Sequence, residues 1–313
     1  MRERSVTALL DRTARHWYIL GILVVLWGTS FASSKIAVET IPPVWVAALR
    51  IAIGAGLMLT YLIVRRERLT RRPHDWLWFL WLALLGTVVP FLLISWGVQY
   101  VPSSVAGILM ATVPLAVIIL AHTLLPDEPL TRRKMTGFLI GFVGVVFLVG
   151  IGGTKSLQSG PLQFWALLGI TTAAVCYALN GTTARLMPVM SSASKSAGVL
   201  LAGTLVAVPL AMIVSPDGLK EASMASLWAV LALGIFPTAL ATILLFVILE
   251  EAGASFVALS NYLVPVFAVM VGVVLLDEVL QWSDWVGLFL VLCGIFITER
   301  FKSRKVKVVP SST

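Results

Sequence analysis

Long stretches without a charged residue constrain this chain more than any other feature. Residues 256–276 form one such stretch, and residues 103–125 form another. A helix of about 20 apolar residues crosses the hydrocarbon core of a bilayer, whereas a water-soluble domain cannot bury so many such runs. The chain has 313 residues, of which 59% are hydrophobic and 12% charged. The sequence therefore predicts an all-α membrane protein with several spans.

Apolar runs of spanning length recur along the whole chain and are separated by short connections. We predict ten transmembrane helices, at residues 18–38, 44–64, 76–98, 103–125, 134–151, 162–184, 196–214, 226–249, 256–276 and 283–299. The first run follows a basic leader, as a signal peptide would. It is long enough to span, however, and no small-residue cleavage site follows a short core, so we interpret it as a membrane helix.

Lysine and arginine are distributed very unequally between the two sides that this topology defines. Nineteen lie on the side of the leader and the tail, and two, Lys155 and Lys220, lie on the other. Basic connections remain in the cytoplasm, so both termini are predicted to be cytoplasmic. The net charge of +8 comes from these clusters between apolar runs. It therefore indicates a lipid bilayer as the partner, and no nucleic acid.

Two acidic pairs stand at the ends of uncharged runs, and they indicate a duplication. Asp127 and Glu128 are followed after 150 residues by Asp277 and Glu278, and only the first pair has a basic flank, at residues 132–134. Glycines and prolines recur at nearly the same offset. We interpret the chain as a five-helix unit written twice. Because five is odd, the second unit is predicted to be inverted, which is an architecture of alternating-access transporters.

The predicted domain organisation follows from these two units. A cytoplasmic basic leader covers residues 1–17, and the first five-helix repeat covers residues 18–151. The second, inverted five-helix repeat covers residues 162–299, and a cytoplasmic basic tail covers residues 300–313. The repeats are nearly equal in length, as a duplication requires.

Sequence motifs of enzymatic chemistry are absent. The chain contains no Walker loop, no HExxH and no GxSxG. Cys176 and Cys293 lie inside apolar runs, where a small buried residue is the ordinary interpretation, and the three histidines are scattered. We therefore predict no catalytic residue, no metal site and no cofactor, so the protein is not expected to be an enzyme.

Five stretches carry a resemblance to a known family. They are LWGTSFASSKIA, PPVWVAALRIAIGA, SWGVQYVPSSVAGILMATVPL, LLPDEPLTRRKMTGFLIGFVGVV and ASFVALSNYLVPVFAVMVGVVLLDEVLQWSDWVGLFLVLCGIFI. In their order and spacing they resemble the drug/metabolite transporter superfamily, in particular its bacterial EamA-type branch. The resemblance covers nearly the whole chain. It implies ten helices in inverted five-helix repeats and the export of small metabolites, often amino acids.

Polar and aromatic residues at mid-depth are the candidates for a substrate site, because polar groups that face lipid are costly. The candidates on the first, fourth, sixth and ninth spans are Trp27, Ser30, Ser34, Met110, Thr112, Tyr177, Asn180, Asn261 and Tyr262. Several of them occupy corresponding places in the two repeats. Interhelical hydrogen bonding and packing would account for the same residues, so both roles stay open.

Arg50 is a charged residue about two turns into the second span, and it therefore needs a partner. Glu39 and Glu278 are the acidic candidates predicted to lie on the same side of the membrane. We expect Arg50 to pair with Glu278 and to help close an outer gate. An arginine that extends its charge to the interface is the alternative.

Four prolines lie within predicted spans and are further candidates for gating. They are Pro90, Pro114, Pro237 and Pro265. Each removes one backbone hydrogen bond and is expected to kink its helix. Because they occupy related places in the two repeats, we expect their helices to bend around a central cavity, although tolerated packing kinks are the simpler alternative.

Together with these features, the resemblance implies a secondary transporter in the bacterial inner membrane that exports small organic metabolites, amino acids or related compounds, by alternating access around a midplane cavity. No carboxylate lies at mid-depth, so we expect a facilitator or exchanger. Proton-coupled drug/metabolite efflux through His122 or an end carboxylate is the alternative. A membrane-embedded enzyme and a structural helical bundle are rival classes. The glycines Gly137, Gly141 and Gly144 predict close helix packing, either within the chain or in a homodimer.

Overall fold

A computed structural model describes residues 14–125, 128–151 and 161–299. All regular secondary structure within these ranges is helical, and none of it is strand. Most of the predicted basic leader, Asp127, Lys155 and the basic tail lie outside the described residues. The all-α class that the apolar runs predicted agrees with this architecture.

Helices cover all ten predicted spans in the described part of the chain. They are α1 Ala14–Ala37, α2 Pro43–Val64, α3 Pro73–Gly97, α4 Ser103–Leu124, α5 Arg132–Val146, α6 Pro161–Thr183, α7 Ser192–Val214, α8 Met224–Ala252, α9 Ser260–Leu275 and α10 Trp282–Glu299. Seven helices, α1–α4 and α6–α8, are long and apolar enough to cross a membrane, and α9 and α10 are shorter apolar helices. These helices indicate a multi-pass membrane protein, whereas ten crossings and inverted repeats stay predictions.

The starts of the helices follow from local sequence. Pro43 and Pro73 stand in the first turns of α2 and α3, where a missing N–H removes no helical hydrogen bond. Thr131, Ser191 and Ser223 precede α5, α7 and α8, and each hydroxyl accepts a backbone N–H three residues later, at 3.3, 3.1 and 3.1 Å. Such caps satisfy donors that have no partner within the helix.

Three of the helices are irregular near the middle. The hydrogen bonding is π-helical over Leu84–Val88 in α3 and over Gly234–Leu240 in α8. In α4 the helix is interrupted between Met110 and Val113. A π turn inserts a residue into the helix, re-aims the side chains around it and is frequent at functional sites. The two π segments begin 150 residues apart, as the duplication predicts.

Helices α5 and α10 pack at backbone contact through their glycines. A Cβ atom on Gly294 would lie 2.6 Å from the carbonyl oxygen of Gly137 and 2.8 Å from the Cα atom of Gly141. A Cβ atom on Gly144 would lie 3.0 Å from the carbonyl oxygen of Gly287. Small residues permit this approach between membrane helices. The glycines of α5 are therefore occupied by a partner helix of the same chain.

The two halves of the chain are interleaved. Helix α2 packs against α7, α1 against α9, and both α3 and α4 against α6. Most of the buried apolar side chains of these helices belong to one continuous cluster with members from both halves. The irregular middles of α3, α4 and α8 consequently lie where the halves meet.

Candidate functional site

A cavity of about 530 Å³ lies between the two halves. Eight helices, α1–α4 and α6–α9, contribute side chains to its wall. The wall is mostly apolar and aromatic, with a small number of polar groups. This composition and this size are typical of sites for small organic molecules.

Six of the nine predicted substrate residues line this cavity, and they form three pairs related by the repeat. The pairs are Trp27 with Tyr177, Ser30 with Asn180, and Met110 with Asn261. Corresponding positions of the two halves thus converge on one space. That is where inverted-repeat transporters hold their substrate.

The other three candidates lie away from the cavity wall. The Ser34 hydroxyl donates to the Ser30 carbonyl at 2.8 Å, and the Thr112 hydroxyl donates to the Leu109 carbonyl at 2.6 Å. Tyr262 packs against an apolar cluster of α4 and α10. Thr112 was predicted from its depth in the span, but its hydroxyl bonds within α4 and its side chain does not line the cavity.

Asn180 lines the cavity and also joins α6 to α3. Its Nδ2 atom donates to the carbonyl oxygen of Leu82 at 2.8 Å, just before the π segment of α3. A Cβ atom on Gly86 would lie 2.3 Å from the same nitrogen, so the glycine allows this contact. The amide therefore anchors the irregular part of α3 at the cavity wall.

Arg50 lies in the cavity wall and is only 7% exposed. Its Nε atom donates to the Thr238 hydroxyl at 2.9 Å, and its Cζ atom lies 3.7 Å from the ring centre of Phe91. The second contact is a cation–π interaction. Thr238 in turn donates to the Leu233 carbonyl at 2.8 Å, within the irregular part of α8. One guanidinium thus contacts α3 and α8 at once.

Arg50 lines the cavity, and within the described residues neither of its terminal nitrogens has a hydrogen-bond or ion-pair partner. Both nitrogens are accessible, because the fully buried polar side-chain atom without a partner in the described part is the Ser103 hydroxyl oxygen. A charged group is therefore presented to whatever the cavity holds.

The expected pair between Arg50 and Glu278 is not formed in this structure. The Glu278 carboxylate accepts the Ser103 N–H at 2.6 Å, the Ser104 N–H at 3.0 Å and the Ser104 hydroxyl at 2.7 Å. It also lies 4.0 Å from the Lys35 ammonium. The physical reason is depth, because Arg50 lies two turns inside α2, whereas Glu278 lies over the N-terminus of α4. That N-terminus offers free N–H groups and a favourable dipole.

The environment of Glu278 keeps its carboxylate charged. Burial alone would raise the pKa of this carboxyl, but the hydrogen bonds from Ser104 and Ser103 outweigh burial and lower the pKa below its usual value. Glu278 therefore acts as an anion that closes the N-terminus of a helix. A carbon on Gly272 would lie 2.4 Å from its Oε2 atom, so the close approach of α9 requires glycine there.

A second set of ion pairs is related to this one by the repeat. The Glu128 carboxylate lies 3.3 Å from the Arg185 guanidinium and 3.1 Å from the Lys134 ammonium. Arg185 and Glu128 stand 150 residues from Lys35 and Glu278 respectively. In one set, Lys35 near the end of α1 meets Glu278 of the second half. In the other set, Arg185 just after α6 meets Glu128 of the first half. The shared offset of both members is the sequence signal that would have predicted these pairs.

The prolines accompany the irregularities of three helices. Pro237 lies within the π segment of α8, Pro90 follows the π segment of α3, and Pro114 stands where α4 resumes. Helix α9 stays helical through Pro265. Pro237 and Pro265 line the cavity, whereas Pro90 and Pro114 do not.

Sequence reasoning missed several residues of the cavity wall. Thr238, Phe91 and Lys195 are among them. Thr238 corresponds to Thr87 of the first half at an offset of 151 residues, and this match was the available signal. Lys195 was assigned to a cytoplasmic connection, but it lies in the first turn of α7, and its ammonium donates to the carbonyl oxygen of Ala184 at 3.2 Å.

Comparison with known families matches the chain twice. The profile of the EamA-like transporter family covers residues 15–150 and again residues 164–300. The two matched ranges coincide with the two halves that the offset of 150 residues indicated. The duplication of the chain and its resemblance to this family are therefore found independently of the motifs quoted above.

Relatives of similar length include two that are named as transporters. The uncharacterized transporter YoaV of Bacillus subtilis is 25% identical over 92% of this chain and 99% of its own length. The protein PagO of Salmonella typhimurium is 26% identical over 90% of this chain and 91% of its own length. The uncharacterized inner membrane transporter YedA of Escherichia coli K12 is 25% identical over 88% of this chain and 87% of its own length.

One chain of known crystal structure has a similar fold. It is 21% identical, and the superposition has a TM-score of 0.63 over 92% of this chain and 98% of that chain. At this identity the likeness concerns the fold alone. It indicates that the arrangement of helices described above occurs in another protein.

Proposed function

The chain belongs to the EamA-like transporter family, and on that premise we propose that it exports small organic metabolites by alternating access around the central cavity. Amino acids or related compounds are the proposed substrates. The observation that carries the proposal is the convergence of three repeat-related pairs of side chains on one cavity. A site between repeats is reachable from either side of the membrane in turn.

The proposal includes a topology. Ten helices cross the bacterial inner membrane as two inverted five-helix repeats, and both termini are cytoplasmic. The unequal distribution of basic residues supports the orientation. The double match of the family profile supports the repeats, and a relative named as an inner membrane transporter supports the location.

We assign the outer gate to Glu278 and its contacts with Lys35 and the N-terminus of α4. The Glu278 side chain is 6% exposed, whereas the repeat-related Glu128 is 28% exposed, so the contact at the predicted outer end is the tighter one. The cavity wall extends to Lys195 in the first turn of α7, at the predicted cytoplasmic end. Both observations support an inward-open state with a closed outer gate.

The other gating candidates act through the helices that line the cavity. Arg50 links α2 to α3 and α8 through Phe91 and Thr238, so a movement of either helix changes its contacts. Pro90 and Pro237 stand at the two π segments, where the helices bend most readily. Pro114 and Pro265 have the same proposed role in α4 and α9.

Substrate gradients are proposed to set the direction of flow, as in a facilitator or exchanger. The cavity wall holds no carboxylate among the described residues. His122 lies at the end of α4, where its ring contacts the carbonyl oxygen of Glu128 at 3.1 Å. Proton-coupled efflux through such an end group is the alternative, and imposing a proton gradient distinguishes the two.

Two rival classes are an enzyme within the membrane and a structural helical bundle. The family is one of transporters, and the relatives YoaV and YedA are named as transporters, which favours transport over both. Uptake of labelled amino acids and related acids into proteoliposomes tests the proposal against protein-free liposomes. Saturable uptake of a chemically unchanged compound is expected. A converted product would indicate an enzyme, and uptake no greater than in protein-free liposomes for every compound would indicate a structural protein.

A homodimer stays a prediction. The glycines of α5 that suggested one are already packed against α10 of the same chain. Any dimer would therefore use another surface, and the chain alone supplies a cavity with walls from both halves.

A further inference from the structure

We propose that the cavity selects organic anions and that Arg50 binds the carboxylate of the substrate. This inference rests on the proposed function. Among the amino acids and related compounds proposed there, it favours carboxylic acids that carry no ammonium group.

Arg50 places a positive charge in the interior of a membrane protein. The side chain is 7% exposed, and no acidic residue forms an ion pair with it in the described part of the chain. A buried charge without a counter-ion is costly, and ionisable residues at such depth mark binding pathways. Glu278, the acid that sequence reasoning assigned to Arg50, is occupied by Ser103, Ser104 and Lys35. The missing counter-charge is therefore supplied by a ligand.

The contacts of Arg50 leave the binding edge of its guanidinium free. Thr238 occupies the Nε atom, and the ring of Phe91 covers one face. Both terminal nitrogens remain unpaired and accessible, in a side chain that lines the cavity. Two parallel N–H donors of an arginine match the two oxygens of a carboxylate, and the fixed fork makes this match specific. Thr238 and Phe91 thus hold the group in an orientation for binding.

The rest of the wall favours an anion without an ammonium group. Lys195 is a second cation on the wall, and no carboxylate lines it among the described residues. An ammonium group on the ligand would add a positive charge to a cavity that already holds two. The Asn180 amide is polar and uncharged, and its nitrogen donates one hydrogen bond to the Leu82 carbonyl.

The body of the ligand is predicted to be apolar. Trp27, Phe31, Phe91 and Tyr177 line the cavity together with aliphatic side chains. A cavity of about 530 Å³ lies within the range of sites for small organic molecules. The expected order of affinity for one carbon skeleton is therefore carboxylate first, then the amino acid, then the alcohol, with the amine last.

Binding to the purified full-length protein in detergent tests this order. The probes are 3-phenylpropionate, phenylalanine, 3-phenylpropan-1-ol and 3-phenylpropylamine, and a second set built on 4-methylpentanoate, leucine, 4-methylpentan-1-ol and 4-methylpentylamine. Affinity is taken from the rise in the unfolding temperature with probe concentration. At least one carboxylate is expected to bind at least about tenfold more tightly than its amino acid, alcohol and amine.

Variants locate the binding group. Arg50→Gln is expected to weaken carboxylate binding at least about tenfold, and Arg50→Lys is expected to weaken it less, because a lysine keeps the charge without the fork. Arg65→Gln, at an arginine of the same helix whose side chain is 61% exposed, is the matched control and is expected to bind as the wild type does. The unfolding temperature without probe shows that each variant is folded.

Several results would overturn the inference. They are equal binding of the acid and its alcohol, tighter binding of the amino acid, no binding of either carboxylate, and unchanged binding in Arg50→Gln. Tighter binding of benzyl phosphate than of both carboxylates would also overturn the assignment to carboxylates. Arg50-dependent binding of an acid that proteoliposomes fail to transport would support this inference and refute the proposed function. Transport of amino acids that does not depend on Arg50 would refute this inference and support the proposed function.

Discussion

Glu278 receives two backbone N–H groups and one hydroxyl from the N-terminus of α4 and faces the Lys35 ammonium. Each hydrogen bond to a charged group contributes about 1.5–3 kcal/mol when its partner is desolvated. Glu278, which follows the apolar run of α9, therefore joins the end of α9 to the start of α4. The adjacent Asp277 has a positive φ of 51°, which turns the chain back over the helix end. This contact is the proposed outer gate.

We predict that Glu278→Gln opens the cavity to the outer side. An amide keeps the size of the side chain but loses the charge that attracts Lys35 and the N–H groups of Ser103 and Ser104. The readout is labelling of an Ile94→Cys variant, in a Cys176→Ala, Cys293→Ala background, by a membrane-impermeant reagent added outside. Ile94 lines the cavity on α3. The labelling rate is expected to rise about tenfold or more.

Asp217→Asn is the matched control, because this acid is 73% exposed in a surface pair with Lys220. It is expected to leave the labelling rate unchanged.

The pKa of Glu278 is lowered in the closed contact, so the charge stabilises closure above the ordinary carboxyl pKa, about 4.3. This stabilisation is lost as the pH falls through the lowered pKa. An unchanged labelling rate in Glu278→Gln would contradict the assignment of the gate.

Single residues also show where sequence reasoning was sufficient and where it was not. The repeat offset predicted that Trp27 and Tyr177 face the same space, because symmetry-related positions are readable from the numbering. The predicted pair of Arg50 and Glu278 is not formed in this structure. Both residues lie on the same predicted side, but a sequence does not reveal that the N-terminus of α4 competes for the carboxylate.

At the scale of helices, the pair α5 and α10 depends on backbone contact. Three backbone atoms of α5 lie within 2.8 Å of a Cβ atom placed on Gly294, and none of them can move away as a flexible side chain would. Interfaces with so little space tolerate no added methyl group without a shift of the helices. The glycine stripe is therefore a structural feature of the fold.

We predict that Gly294→Ala separates α5 from α10 and lowers stability by about 1–3 kcal/mol, the usual cost of overpacking. The measurement is the thermal unfolding midpoint of the purified protein in detergent. Gly21→Ala is the matched control, because a Cβ atom there meets nothing within 4 Å. It is expected to be neutral or slightly stabilising, since alanine favours the helix. Equal effects of the two substitutions would contradict the packing argument.

The positions of the helices were largely predictable, whereas the form of their irregularities was not. Apolar runs set the helix positions, so the predicted span 44–64 matches α2 at Pro43–Val64 to within one residue. Prolines indicated that α3, α4 and α8 depart from regular helix, and they do. A proline does not reveal whether the departure is a π segment, as in α3 and α8, or an interruption, as in α4, because the apolar composition is the same in each case.

At the scale of the whole molecule, the proposed topology places the connections rich in basic residues on one side of the membrane and those poor in them on the other. The connection between α7 and α8 contains Lys220, and the connection between α2 and α3 contains Arg66. The inverted arrangement requires these two loops to face the outside and the cytoplasm respectively. The cavity between the repeats then connects with one side at a time.

Cysteine labelling tests this topology directly. In the background without native cysteines, Lys220→Cys is expected to react with an impermeant reagent on intact cells. Arg66→Cys is expected to react only after the membrane is permeabilised. Both substituted positions are exposed, so a cysteine at either one is accessible to the reagent. Reaction of both variants on intact cells, or of Arg66→Cys alone, would contradict the inverted topology and the cytoplasmic termini.

The central claim is that the cavity exchanges substrate across the membrane without an imposed ion gradient. Counterflow in proteoliposomes loaded with unlabelled substrate tests this claim. The wild type is compared with Met110→Trp, in which the larger side chain fills the cavity. The control is Met212→Trp, at a position on α7 that is 57% exposed. The account predicts transient accumulation of labelled substrate in the wild type and Met212→Trp, and its loss in Met110→Trp. Accumulation only when a proton or sodium gradient is imposed, or equal accumulation in all three proteins, would contradict it.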